Sequence, residues 1–224
     1  MTGDAAALVA ARNEAASIAE TVKALRRVPG LGRVVVIDDD STDDTAALAS
    51  GAGAEVIPSG RARGKGRALD AGLAAVDAPW YLLVDGDTGA SAECAAPLLA
   101  AVMGGDADLA IGRLPPATGG GFGLVKGLTA RLVRLACGFE ATEPMSGQRA
   151  ATRAVLRACR PLAPGFAVDA AMTVDAVRLG FRVVEIDVGM SHRATGRGPS
   201  GFVHRARQGI HVLAAMVPRL LRIR

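Results

Sequence analysis

Two carboxylates stand two residues apart in the triplet Asp85-Gly86-Asp87, directly after the apolar run 82–84. The glycine between them allows the backbone to turn, so both side chains can face one ligand. Carboxylate oxygens are hard ligands that suit Mg2+ or Mn2+, and an ion held there would bind and neutralise phosphate oxygens. Because such a triplet also occurs in ordinary turns, its position after a predicted strand is the feature that favours a metal site.

A second acidic cluster lies at the end of the β-branched run 33–38. Asp38 and Asp39 stand where that strand ends, and carboxylates there could recognise a nucleobase and a ribose. Asp43 and Asp44 come later, where acids are typical of the first turn of a helix because they favour its dipole. The first pair therefore indicates ligand binding, whereas the second pair fits helix stabilisation.

Lys65 lies between two glycines, Gly64 and Gly66, where a loop enters a predicted helix. Backbone N–H groups and a lysine at such a point favour an anion. The spacing differs from that of a phosphate-binding P-loop, which needs GxxxxGK[ST]. The alternative interpretation is a solvated basic turn made of Arg61, Arg63, Lys65 and Arg67.

Two isolated residues in the second half of the chain could also take part in chemistry. His192 follows a predicted strand and stands beside Arg193 and Arg197. It could be a third metal ligand, although a lone histidine is more often a surface or packing residue. Asp169 is a candidate base or acceptor-orienting carboxylate, and its alternative is an ordinary acid in the first turn of a helix.

The elements that must position these residues alternate between strand and helix. Strands joined by helices of this length form a parallel sheet with helices on both faces, and ligands bind at the carboxyl ends of its strands. The polar clusters after the first, second and fourth strands share that edge. The predicted strands are 5–10, 33–38, 54–57, 80–84 and 108–111, and the predicted helices are 15–27, 45–49 capped by Ser41, 64–76 and 91–103 capped by Ser91.

The second half of the chain is less regular. A Pro/Gly-rich loop covers 115–121, and a polar turn at 145–149 precedes a short segment. Helices are predicted over 124–135 and 168–179, and a strand over 181–188. The range 201–221 predicts an amphipathic helix with a basic side, interrupted at Pro218.

Composition bounds the class of protein. The net charge is +4, from 26 Lys+Arg against 22 Asp+Glu, a balance too weak to indicate nucleic acid. Bases concentrate toward the end of the chain, which favours an anionic ligand or membrane surface. Three widely spaced cysteines without a CxxC pair favour a reducing cytoplasm. The sequence has no signal-peptide pattern and no uncharged apolar run near the roughly 20 residues of a spanning helix.

Taken in order, the motifs resemble those of the family 2 glycosyltransferases of the GT-A fold, over nearly the whole chain. Ala10 replaces the usual proline of the first motif, and Asp40 stands where glycine is usual in the second. The matching segments are 10–14 (AARNE), 37–43 (IDDDSTD), 64–69 (GKGRAL), 85–87 (DGD) and 145–150 (MSGQRA).

The resemblance implies an α/β three-layer sandwich, with a central, mostly parallel sheet and helices on both faces. It also implies roles for the matching positions. Lys65 would approach a diphosphate, and Asp169 stands where many members have a glutamate near the acceptor. His192 stands where members similar to glucosyl-phosphoglycerate synthase and polyprenyl-phosphate glycosyltransferases place a late metal-binding histidine. The implied nucleotide-sugar and metal residues are Ala11, Arg12, Glu14, Asp38, Asp39, Asp85, Gly86 and Asp87, with Asp87 the more direct metal ligand.

The function so implied is metal-dependent transfer of a hexosyl group from a nucleoside diphosphate sugar, with UDP or GDP, to a phosphorylated or lipid-linked acceptor in cell-envelope glycan synthesis. Mg2+ or Mn2+ is the expected cofactor. One domain, 1–224, would bind the nucleotide sugar with 1–112 and the acceptor with 113–224. The candidate acceptor residues are Ser146, Gly147, Gln148, Arg149, Arg193 and Arg197.

A polyprenyl phosphate acceptor would suit the basic end of the chain, and the helices over 124–135 and 201–221 could rest on the inner face of the cell membrane. The alternative is that these helices pack on the sheet with their arginines reaching water. Two rival functions also stay open. A nucleotidyltransferase would show a glycine- and arginine-rich loop after the first strand, where Arg12-Asn13-Glu14 stands instead. The acidic triplet, the GKG segment and His192 argue against a non-catalytic nucleotide-sugar-binding or scaffolding protein, while Asp40 and Asp169 leave it open.

Overall fold

One seven-stranded sheet organises the part of the chain that the computed structural model describes, residues 3–60, 64–115, 123–190 and 213–221. The strands are β1 (Ala5–Ala11), β2 (Leu31–Asp38), β3 (Glu55–Pro58), β4 (Trp80–Asp85), β5 (Leu109–Arg113), β6 (Arg149–Thr152) and β7 (Val183–Asp187). Their spatial order is β3-β2-β1-β4-β6-β5-β7. β1, β2, β3 and β4 pair in parallel, as do β5 and β7. β6 alone of these strands is antiparallel to both of its neighbours, β4 and β5.

Helices cover both faces of the sheet, which confirms the predicted three-layer α/β architecture. The α-helices are α1 (Ile18–Leu25), α2 (Thr45–Gly51), α3 (Lys65–Ala75), α4 (Ala96–Met103), α5 (Gly123–Cys137), α6 (Arg153–Ala158), α7 (Val168–Arg178) and α8 (213–220). Two 3-10 helices cover Gly89–Ala95 and Gly165–Ala167. None of the helices in these described ranges is long and apolar enough to span a bilayer.

The alternation of side chains along β1 divides the core in two. Val9 faces the layer formed by α1 and α4, whereas Leu8 faces the layer of α3, α6 and α7. Because successive side chains of a strand point to opposite faces, a run of small apolar residues buries both faces at once. A third cluster joins α5, α7 and α8 through Val133, Val174 and Met216.

Several predicted helix boundaries are wrong, for local reasons. The helix predicted from residue 15 begins at Ile18, because residues 15–17 form a turn before it, and the N–H groups of Glu14 and Ala15 donate to Thr45 Oγ1 at 2.8 Å and Asp43 Oδ2 at 3.2 Å. Ser41 does not cap α2: the residue before the helix is Asp44.

Ser91 is not a helix cap either. It lies inside the 3-10 helix, and its hydroxyl donates to the Thr88 carbonyl at 2.7 Å. The predicted helix 91–103 is therefore a 3-10 segment followed by α4. At the C-terminal end, α8 runs through Pro218 without a break. The predicted helix residues 201–212 lie outside the described residues.

Candidate functional site

Lys65 links two carboxylates at the carboxyl edge of the sheet. Its Nζ lies 2.7 Å from Asp85 Oδ1, at the end of β4, and 3.1 Å from Asp169 Oδ2, in the first turn of α7. The start of α3 holds Lys65 in this position, because Gly66 packs so closely on the Ala163 carbonyl that a Cβ there would overlap it. Chain segments about a hundred residues apart therefore meet at one ammonium group.

Asp85 is fixed by the segment that leads into β6. Gln148 Nε2 donates to Asp85 Oδ2 at 3.0 Å, and the Asp85 N–H donates to Gln148 Oε1 at 3.3 Å. Gly147 lies against the same carboxylate and against Lys65, and a Cβ at this position would collide with both. Both Asp85 oxygens thus have a partner, and the carboxylate is held in one orientation.

The turn after Asp85 is anchored to α1. The Gly86 carbonyl accepts hydrogen bonds from Thr21 Oγ1 at 3.0 Å and Ser17 Oγ at 3.2 Å. A Cβ on Gly86 would lie 3.2 Å from Ala11 Cβ and 3.3 Å from the Glu14 side chain. Three predicted binding residues, Ala11, Glu14 and Gly86, therefore do come together. Asp87 follows as a half-buried side chain at the same turn.

The two acids at the end of β2 have different surroundings. Asp39 is buried, and its oxygens accept from Ser59 Oγ and from the Gly64 N–H, both at 2.8 Å. It ties the end of β3 to the start of α3. Asp38 Oδ2 accepts from the Ser41 N–H at 3.4 Å, whereas Asp38 Oδ1 is buried without a hydrogen-bond partner in the described structure. Of the two, Asp38 retains an acceptor for a ligand.

The loop after β1 is hydrogen-bonded to the loop after β2. Asn13 Oδ1 accepts from the Thr42 N–H at 2.8 Å, and the Asn13 N–H donates to Ser41 Oγ at 3.0 Å. Asn13 and Asp40 have φ of 56° and 60°, in the left-handed region that Asn and Asp tolerate better than most residues. This explains how Asp40 occupies a position where the related motif has glycine. Arg12 is exposed on the same loop.

Asp169 is nearly inaccessible, with its side chain 6% exposed, and it lies between two cations. Arg149 Nε is 3.6 Å from its Oδ1, whereas Lys65 contacts its Oδ2. Burial raises the pKa of Asp169, and the charges of Lys65 and Arg149 oppose this rise. Burial disfavours the charged form of Lys65, but Asp169 and Asp85 outweigh this effect, so the pKa of Lys65 is raised and the ammonium stays charged. Asp169 is also an acid in the first turn of α7, which fits its alternative interpretation, while its role as a base or acceptor-orienting carboxylate stays a prediction.

The segment predicted to contact an acceptor turns inward. Arg149 is fully buried, and Ser146 and Gln148 are almost so. The Ser146 hydroxyl accepts from the Gln148 N–H at 3.3 Å. Gln148 contacts Asp85, and Arg149 contacts Asp169. The remaining predicted site residues, His192, Arg193 and Arg197, lie outside the described residues.

Sequence reasoning missed the partners Ser59, Thr21 and Thr173, which are small polar residues with no motif of their own. It also missed the contact between Lys65 and Asp169. A usable signal for the inward-facing segment is that Gln148 and Arg149 lead directly into the apolar residues of a strand. Within residues 3–60, 64–115, 123–190 and 213–221, no three His, Cys, Asp or Glu side chains are grouped to hold a metal ion.

The mostly parallel sheet with acidic strand ends at one edge and helices on both faces has the architecture of the GT-A class of α/β proteins. Residues 7–167 match the model of glycosyl transferase family 2, so the chain belongs to that family. It is similar in structure to glucosyl-3-phosphoglycerate synthase from Mycobacterium tuberculosis, solved with Mn2+, UDP and glucosyl-3-phosphoglycerate. The two chains are 26% identical with a TM-score of 0.83, over 99% of this chain and 81% of that chain.

Two curated relatives are also named as glycosyltransferases. An uncharacterized glycosyltransferase of Mycobacterium tuberculosis is 37% identical over 120 residues, 53% of this chain and 53% of the relative. Glycosyltransferase AglJ of Haloferax volcanii is 29% identical over 179 residues, 78% of this chain and 58% of the relative. The chain therefore spans about half the length of the curated relatives that it matches.

Proposed function

We propose that this protein transfers a hexosyl group from a nucleoside diphosphate sugar to a phosphorylated acceptor, with the help of a divalent metal ion. The observation that carries the proposal is the bridge of Lys65 between Asp85 and Asp169. The bridge brings Asp85, a carboxylate of the proposed donor motif, close to Asp169, a buried carboxylate that could act on the acceptor. Both lie at the same edge of the sheet.

The donor would lie over the ends of β1, β2 and β4. Ala11 and Glu14 would border the nucleotide, and the unsatisfied Oδ1 of Asp38 would accept a hydrogen bond from a base N–H or a ribose hydroxyl. A buried acceptor without a hydrogen bond costs about 1–3 kcal/mol. A hydrogen bond from an N–H or O–H of the bound nucleotide would remove this cost. The structurally similar synthase was solved with UDP and with UDP-glucose, so UDP-sugars are the first donors to test and GDP-sugars the second.

The metal would be Mg2+ or Mn2+, and Asp87 is the more direct ligand in the family motif that 85–87 resembles. Asp85 has partners on both oxygens, Lys65 and Gln148, and is better placed to face the sugar and ribose. Mg2+ is often held by one or two carboxylates together with substrate phosphates and water, so the one carboxylate of Asp87 suffices chemically. The bound ion would stabilise the departing diphosphate. His192 stays a predicted further ligand.

Asp169 would contact the acceptor hydroxyl from beneath the cleft. A buried carboxylate between two cations can hold a hydroxyl in line for transfer or accept its proton. Lys65, which touches both acids, would lie between the donor diphosphate and this hydroxyl. The related synthase was solved with phosphoglyceric acid, so small phosphorylated hydroxy acids are the first acceptors to test.

A lipid-linked acceptor is the second candidate, and exposed apolar side chains favour it. Five large apolar residues are exposed on α5, on α8 and directly after α8: Leu128, Leu135, Leu213, Val217 and Leu221. With nearby arginines, such a surface suits an anionic membrane. Co-sedimentation with anionic vesicles at low and high salt tests this candidate. Lack of binding at low salt removes it, and a variant with Leu135 and Leu221 changed to Gln is the matched control.

Product analysis decides between this function and its rivals. Purified protein is incubated with UDP- and GDP-sugars, Mg2+ or Mn2+, and each acceptor class, and the products are identified by mass spectrometry. Glycosylated acceptor plus nucleoside diphosphate supports the proposal. Formation of a nucleotide sugar from a sugar phosphate and nucleoside triphosphate indicates a nucleotidyltransferase. Donor binding without turnover under any condition indicates a non-catalytic binding protein.

A further inference from the structure

Arg149 is the largest fully buried side chain in the described part of the chain. It is the first residue of β6, the antiparallel strand between β4 and β5, where it pairs with Leu83 and Ile111. The strand thus carries a cation into the middle of the sheet, directly below the edge where Lys65 and Asp169 meet.

Few groups in the structure compensate the buried charge. Arg149 Nε donates to the Ser146 carbonyl at 2.8 Å, and Nη1 donates to Thr173 Oγ1 at 2.9 Å. Nη2 has no hydrogen-bond partner among the described atoms. A guanidinium has five N–H donors, and a buried ion costs several kcal/mol that only good geometry and charge pairing recover. A hydrophobic side chain would fill this space at lower cost, so packing alone does not explain an arginine here.

The contacts of Arg149 converge on Asp169. The guanidinium lies 3.6 Å from the Asp169 carboxylate. Thr173, which accepts from Nη1, donates to the Asp169 backbone carbonyl at 3.1 Å. Arg149 therefore touches both the side chain and, through one hydroxyl, the backbone of the same residue. Lys65 reaches the other carboxylate oxygen of Asp169 from the cleft side.

We infer that Arg149 is a positioning residue for Asp169: from inside the sheet it fixes the orientation and the negative charge of the carboxylate that faces the acceptor. This inference rests on the proposed function for its consequence in catalysis. Arg149 itself is fully buried, so it would act on a substrate only through Asp169. The charged groups that act on Asp169 are Lys65 from α3, Arg149 from β6 and, at longer range, Asp85 from β4.

The test combines kinetics with a titration that needs no substrate. In Arg149→Met, we expect kcat to fall about 100-fold, since a small misplacement of a reacting group costs that much. We expect the donor KM to change less than about threefold, because Lys65 and Gln148 still hold Asp85. Arg149→Lys keeps the charge and should recover part of kcat. The control is Arg153→Met, which removes an arginine that is paired with Asp77 at the far end of β4.

The second readout is the titration of the Asp169 carboxyl carbon by NMR in protein with 13C-labelled aspartate, with Asp169→Asn for assignment. Loss of a neighbouring cation should move the titration midpoint to higher pH by about one unit or more, and Arg149→Lys should stay near the wild type. If Arg149→Met does not fold, Arg149→Lys carries the test, through a reduced kcat with an unmoved midpoint.

An unmoved midpoint in folded Arg149→Met, or kinetics of either Arg149 variant that match those of Arg153→Met, would overturn the inference. These outcomes are separate from the fate of the proposed function. If the wild-type protein transfers no sugar, the function fails, while the carboxyl titration still decides whether Arg149 controls Asp169.

Discussion

The two carboxylates that Lys65 joins are held in opposite ways. Asp85 ends a strand, keeps a third of its side chain exposed, and is oriented by neutral and charged hydrogen-bond donors from neighbouring segments. Asp169 begins a helix, is 6% exposed, and depends on two cations for its charge. The proposed donor side is thus a hydrogen-bonded rim open to solvent, whereas the proposed acceptor side is a buried ion cluster.

This difference predicts how a substitution on each side should change the activity of the protein. If the rim binds a metal and a nucleotide as proposed, removal of one protein ligand should lower the affinity, because solvent can fill the gap. A buried carboxylate loses its orientation or its charge when a neighbour changes, because no water replaces that neighbour. Substitutions on the two sides should therefore separate into effects on binding and effects on turnover.

The largest effect is expected for Asp87→Ala on the donor side. Loss of the proposed metal ligand should lower metal-dependent transfer by at least about 1,000-fold and should weaken Mn2+-dependent binding of UDP measured by calorimetry. Asp106→Ala, which removes an exposed acid from a loop at the opposite edge of the sheet, is the control. Unchanged turnover in Asp87→Ala would remove the metal site from the donor rim.

Asp169→Asn should come next and should affect turnover alone. The amide keeps the shape of the side chain but cannot accept a proton, so we expect kcat to fall by about 100- to 1,000-fold with donor binding unchanged. Steady-state kinetics and calorimetry with UDP and Mn2+ measure the two terms separately. A loss confined to donor affinity would contradict the assignment of donor binding to the side of Asp85 and of turnover to the side of Asp169.

Gly147→Ala tests how closely the two sides are packed together. A Cβ at this position collides with Lys65 and with Asp85, so we expect the donor KM to rise about tenfold as the carboxylate is displaced. Gly127→Ala is the matched control, because that glycine lies in α5 with open space around it. The control should gain up to about 1 kcal/mol of stability. Equal kinetics in the two variants would show that the rim is looser than the structure indicates.

The smallest effect is expected for Asp40→Gly, far from the ion cluster. Asp40 has φ of 60°, which costs most side chains roughly 1–2 kcal/mol and glycine nothing. We expect Asp40→Gly to change the free energy of unfolding in urea by less than about 1 kcal/mol, and Asp40→Ala to be the least stable of the three proteins. A stability of Asp40→Ala equal to that of the wild type would contradict a strained loop.

The sequence predicts much of this organisation, since apolar runs and polar strand ends follow simple periodic rules. The order of strands and helices in the first half and the shared edge of Asp38, Lys65 and Asp85 are visible in the letters alone. The antiparallel strand β6 could not be predicted, because a strand of four residues after a polar turn is too short to show an alternation of apolar and polar side chains. The burial of Arg149 is equally hidden, because an arginine in a sequence is expected at the surface.

The hydrogen bonds of Asp39 within the protein show a second limit of prediction from sequence. Asp38 and Asp39 are adjacent and chemically identical, so the sequence cannot tell which one binds a ligand. Only the positions of Ser59 and the Gly64 N–H, brought in by β3 and α3, assign Asp39 to the scaffold. Contacts between distant segments, such as that of Lys65 with Asp169, are set by tertiary packing and leave no local pattern.

The most direct test of the account is a double-mutant cycle on kcat/KM with Lys65→Met and Asp169→Asn, and with Lys23→Met as a control for loss of an exposed lysine. If Lys65 joins the donor and acceptor sides through Asp169, the loss in the double variant should fall short of the sum of the single losses by about 1 kcal/mol or more. Losses that add to within about 0.5 kcal/mol would contradict the bridge and separate the two sides of the site.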